Sequence, residues 1–101
     1  MSLQAILKEF PKLEIDVLLN LSVGDLADEY PEVFKKYGAI SFLADRKLSP
    51  LIVLESRAGF FIGTFEFDGP QRESLQYFPT EEQAKTALQT GNWIQYNPDY
   101  Y

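Results

Sequence analysis

The stretch Phe60-Phe61-Ile62-Gly63-Thr64-Phe65-Glu66-Phe67-Asp68-Gly69 decides the fold class. Successive side chains of a β-strand point to opposite faces. The run therefore sorts Phe61, Gly63, Phe65 and Phe67 onto one side and Ile62, Thr64, Glu66 and Asp68 onto the other. The clear alternation predicts one buried and one wetter face, with the aromatic rings as the floor on which a helix rests. Asp68-Gly69-Pro70 then supplies turn chemistry.

The flanking segments extend this strand into a sheet. PLIVLES, residues 50–56, and AISFLA, residues 39–44, are short apolar runs joined by the polar DRKLS, and they are expected to pair. RESLQYF, residues 72–78, returns after the turn as the next strand. Downstream, Thr80 and Gln83 form a capping box, with Glu81 and Glu82 in the first helical turn. Ala84, Ala87 and Leu88 give that helix a narrow apolar side, and Thr90-Gly91-Asn92 closes it. Trp93, just past the cap, is expected in the core.

Upstream the period changes. Leu3, Ile6, Leu7 and Phe10 fall at helical spacing, and Pro11 ends that helix. Leu13 to Leu19 is a dense apolar run that reads as a short helix or an extended connector. Residues 22–38, SVGDLADEYPEVFKKYG, spell helix, bend, helix and stop. Ser22 caps the first helix, Pro31 forces a bend at Tyr30 and opens the second, and Gly38 is expected as a left-handed C-cap. The fold class is therefore α+β in a single domain, 1–101. It has N-terminal helices (1–38), a three- to four-stranded antiparallel meander (39–78), a C-terminal helix on one sheet face (79–91) and an aromatic tail (92–101).

Composition narrows the chemistry. The chain contains no His and no Cys, which leaves carboxylate, Lys and Tyr for acid-base work and excludes a disulfide framework. Net charge is −6, and the nine basic residues are scattered, which argues against nucleic-acid binding through phosphates. No apolar run approaches the roughly 20 residues of a membrane-spanning helix. The opening residues lack the basic stretch and apolar run of a secretion signal, so a cytoplasmic protein is expected.

Asp25, Asp28, Glu29 and Glu32 would form an acidic stripe at helical spacing, which a solvated helix face explains best. The tail residues Tyr96, Tyr100 and Tyr101 are amphipathic aromatics of the kind enriched at protein interfaces. These seven are the candidate partner contacts; no catalytic, cofactor-binding or metal-ligating residue is assigned. Glu55, Glu66 and Glu73, with Arg57 or Arg72, are an alternative small-ligand or carboxylate-based enzymatic site on the sheet. Mimicry of nucleic acid by the acidic surface is a further alternative.

The segment S-V-G-D-L followed by Y-P-E-V-F-K-K-Y-G, residues 22–38, resembles the short helical N-terminal domain of di-iron iron-sulfur-cluster repair proteins and its small uncharacterised relatives. The resemblance implies a helical hairpin. In that family Cys follows the closing Gly within about half a dozen residues, whereas here Ala39, Ile40, Ser41, Phe42, Leu43 and Ala44 follow Gly38. The second half, from Gly59 through Leu88, is similar to the hairpin-plus-helix ending of many small bacterial proteins. The function expected from these features is a small non-enzymatic protein-interaction module, with a protein partner or self-association.

Overall fold

Ser22 caps the helix that begins at Val23 by accepting the Asp25 N–H on its hydroxyl at 3.1 Å. In the computed structural model, residues 15–66 and 69–98 are described. The helix expected over residues 2–10 lies outside them, as do Phe67, Asp68, Tyr100 and Tyr101. Helix α1 (Ile15–Leu18) is the short helix allowed for in the dense apolar run. Helix α2 (Val23–Glu29) stops at Tyr30, whose non-helical backbone (φ −129°, ψ 56°) makes the expected bend. Pro31 then opens α3 (Pro31–Phe34), where its missing N–H costs no helical hydrogen bond. Leu18, Val23, Leu26, Val33 and Phe34 close over one another as the helical core.

Residues 39–44 form a helix, not the expected strand. Helix α4 (Ala39–Asp45) places Ala39 and Phe42 in that same core, and the Phe34 and Phe42 rings pack at 5.6 Å between centroids. A short apolar run has no decisive period, so tertiary contacts chose. Gly38 is correspondingly not a left-handed C-cap: it is extended (φ −75°, ψ 121°) and serves as the N-cap of α4. It brings no side chain to that role. The Glu73 carboxylate, far away in sequence, takes the free N–H groups of Ile40 and Ser41 at 2.9 and 3.0 Å. Gly38 is required here by proximity, because a Cβ would lie 2.6 Å from Glu73 Oε2 and 2.8 Å from Thr64 Cγ2.

The sheet has three antiparallel strands among the described residues, in the order β1 (Ile52–Ser56), β2 (Gly59–Glu66), β3 (Gly69–Arg72). The strand expected over residues 72–78 ends at its first residue. Past Arg72, both Glu73 and Ser74 donate their N–H groups to the Ile62 carbonyl, so two residues oppose one in a β-bulge. Ser74 and Phe78 thereafter make only isolated bridges, to Gln95 and Phe60.

The alternation expected along β2 does not appear in its burial: Phe61, Ile62, Gly63 and Thr64 are all buried, and Phe65, expected on the buried face, lies outside. Ile62 and Thr64 are fully buried, whereas Phe65 is 65% exposed. Helix α5 (Glu81–Thr90) rests on the Ile62 face, where Leu51, Ile62, Ala87 and Trp93 form a second core. Both faces carry enough apolar surface to be covered, and the pattern alone does not rank them. The Ile62 face wins because Thr64, two residues on, meets Ser41 of α4 hydroxyl to hydroxyl at 2.6 Å. Thr80 caps α5 by accepting the Gln83 N–H at 3.1 Å, and Gly91 closes it in the left-handed region, both as expected.

Replacing Gly38 by Ala tests the contact between the two halves. The methyl group would push Glu73 or Thr64 aside, and overpacking of this kind costs about 2 kcal/mol. The expected outcome is a lower urea midpoint with an unchanged m-value.

Candidate functional site

The bulge after β3 turns Glu73 inward and leaves Arg72 on the outer face. Glu73 has no exposed surface. Its Oε1 accepts from Ile40 N–H and from Gln95 Nε2, each at 2.9 Å, and its Oε2 accepts from Ser41 N–H at 3.0 Å. Burial pushes the carboxyl pKa up, while the hydrogen bonds from Ile40, Gln95 and Ser41 pull it back. The group ties α4, the bulge and the C-terminal segment together, and it presents no oxygen to solvent.

The outer face of the sheet is built differently. Directly opposed residues share a face, so the register Ile52↔Gly63↔Arg72, Leu54↔Phe61 and Phe65↔Pro70 places all of these on the side away from α5. Phe61 is covered there by Tyr77, edge to face with centroids 5.9 Å apart, and its ring also closes over Gly63. A side chain at Gly63 would collide with the Gln71 carbonyl. Arg72 lies between two tyrosines, its guanidinium 5.1 Å from the Tyr77 ring and 4.2 Å from the Tyr96 ring. Its Nη1 also donates to the Tyr77 hydroxyl at 2.7 Å. Beyond this clamp, Ile52 and Phe65 stand 41% and 65% exposed, with Tyr77 at 39%. The result is a mostly apolar surface with one cation held between two rings.

The residues singled out from the sequence fall into separate places. Tyr96 is half-buried against Arg72, beside the outer face. Asp25, Asp28 and Glu29 are exposed on α2, and Glu32 is exposed on α3 beyond the bend at Tyr30. The stripe therefore shrinks to three acids on one axis. Among the described residues no three carboxylates gather as a cation site, and no helix is long and apolar enough to cross a membrane. Tyr100 and Tyr101 lie outside the described residues.

Of the alternative site, whose Glu66 side chain lies outside the description, the remaining side chains are not brought together. Glu55 and Arg57 are exposed at the far end of β1 and in its following turn, Glu73 is shut away, and Arg72 is engaged by two tyrosines. The buried role of Glu73 and the exposure of Phe65 were both missed by pattern reading. The signal for Glu73 was the absence of a side-chain cap at Gly38, which leaves α4 in need of a distant acceptor.

Neither a family model, nor a curated protein, nor a solved structure matches the chain.

Glu73 makes stability depend on pH with a definite sign. A carboxyl whose pKa is raised on folding holds its proton in the native state at pH values where the unfolded chain has released it. Its contribution is therefore fully present below the unfolded value of about 4.3 and declines as pH rises through the native value. In urea titrations at a series of pH values, Glu73→Gln should lose this component. The stability of the wild type relative to that variant should accordingly shrink from acid to neutral pH. Because one acceptor oxygen is replaced by a donor, the variant should also be about 1–3 kcal/mol less stable at the acid end.

Proposed function

We propose that this protein is a small non-enzymatic interaction module that holds a partner protein against the outer face of its sheet. The observation that carries this reading is the adjacent exposure of Phe65 and Ile52 on the face opposite the core. Large apolar side chains grouped on a rigid face mark interaction sites, and scattered single ones do not. The Arg72 clamp supports the same reading. Tyr and Arg dominate binding energy at protein interfaces, and here Tyr77, Arg72 and Tyr96 are held in place before any partner arrives.

The partner's chemistry follows from the surface. It offers an apolar centre for Phe65 and Ile52 and acceptor groups for the free edges of the Arg72 guanidinium. The chain's net charge of −6 favours a partner with basic residues at the rim and opposes close self-association. Asp25, Asp28, Glu29 and Glu32 would act at such a rim by long-range attraction, raising the association rate more than the affinity.

Phe65→Glu tests the reading directly. Because Phe65 is 65% exposed, the substitution should leave the melting temperature within a few degrees of the wild type. Proteins recovered from the source cell on immobilised wild type should be lost on the variant. Recovery of the same proteins by both would overturn the proposal.

A further inference from the structure

β1 is an outer strand, paired along one side to β2, and its free side is open in backbone groups. The residues opposite it show which groups those are. Ile62, opposite Val53, gives its carbonyl to the Glu73 and Ser74 N–H groups and its own N–H to the Ser74 hydroxyl, all on the β3 side. Phe60, opposite Glu55, exchanges both backbone hydrogen bonds with Phe78. Neither residue turns a backbone group toward β1, so the N–H and carbonyl groups of Val53 and Glu55 point outward from the sheet edge.

The chain begins to cover this edge and then leaves it. On the same side, the Leu51 N–H donates to the Lys36 carbonyl at 2.9 Å and the Ser49 carbonyl accepts the Gly38 N–H at 3.0 Å, so residues 36–38 run antiparallel along 49–51. Before Lys35 the segment is wound into α3, and the pairing stops. Among the described residues the outward groups of Val53 and Glu55 have no partner. Exposed edges are commonly blunted by Lys, Pro or a bulge. Residues 52–56 carry none of these: the five pairs with β2 are unbroken, and Glu55 is the one charge.

We infer that β1 is a docking edge for an extended segment of another protein, which adds a strand beside Val53 and Glu55 and sets a basic residue across from Glu55. An extended peptide backbone matches the alternating donors and acceptors of those four groups. The charge of the occupant follows from Glu55, which is exposed and has no ion pair among the described residues. A second copy of this chain fits worse. Antiparallel pairing of β1 with itself about Leu54 would set the two Glu55 side chains diagonally on one face, about 7 Å apart. Each of those chains would carry a net charge of −6. Ile52 belongs both to this edge and to the outer face, so the occupant rests on the reading of that face as a partner surface, and the edge adds the backbone conformation in which the partner arrives.

Amide hydrogen exchange on the full chain tests the edge. In the free protein Val53 and Glu55 should exchange fast and Leu54, whose groups face β2, slowly. The probe is a seven-residue peptide alternating Val and Lys, with the same peptide N-methylated at every residue as control. The unmethylated peptide should bind with a Kd on the order of 1 mM or tighter and slow exchange at Val53 and Glu55 about tenfold or more. The methylated peptide should do neither. Glu55→Pro removes an outward N–H without touching the hydrogen bonds to β2, so it should keep the fold and abolish binding, while Glu55→Gln should weaken binding a few fold. The proposal is overturned if the peptide leaves both amides unchanged, if the methylated peptide binds as well, or if Glu55→Pro binds like the wild type. It is equally overturned if the free chain already protects both amides in a dimer. The outer face stands or falls on capture by Phe65→Glu and the edge on these two amides, so either can fail alone.

Discussion

The Glu73 carboxylate caps a helix that begins thirty-four residues before it, and both halves of the protein depend on that contact. Helix α4 has only seven residues, a length at which helices in water are marginal without tertiary support. Its N-cap, Gly38, offers no side chain to the free N–H groups of the first turn. Glu73 supplies the acceptor, and Gly38 is small enough to let it in. Each residue explains the other.

The same carboxylate organises what lies on the sheet side. It stands at a bulge where two residues share the Ile62 carbonyl, and it receives the Gln95 amide from the C-terminal segment. The segment is thereby drawn along residues 73–75, with Leu75 N–H bonded to the Ile94 carbonyl and Tyr96 N–H to the Glu73 carbonyl. A charge this deeply buried is costly unless every oxygen is used, and here both oxygens accept. The Ser41–Thr64 contact beside it completes a polar seam between two apolar cores.

The seam also determines which surfaces remain for binding. It fixes the Ile62 face of the sheet inward, so the opposite face keeps Phe65 and Ile52 in solvent. It holds Tyr96 where Arg72 can stack on it.

Local grammar was legible in the sequence wherever one residue type satisfies one nearby backbone need. Ser22 and Thr80 as caps, Pro31 at a helix start, Gly91 at a helix end and Trp93 in the core all follow from contacts within a few residues. So do the strands over residues 52–56 and 59–66, and with them the α+β class. Only the tertiary structure decided that residues 39–45 are a helix, that the strand after the turn stops at Arg72, and that Phe65 faces out while Ile62 faces in. Each of these turns on a long-range partner: Glu73 for the helix, Ile62 for the bulge, Ser41 for the sheet face. A sequence read by period and propensity registers neighbours three or four residues away, and it does not register a carboxylate that arrives from the other half of the chain.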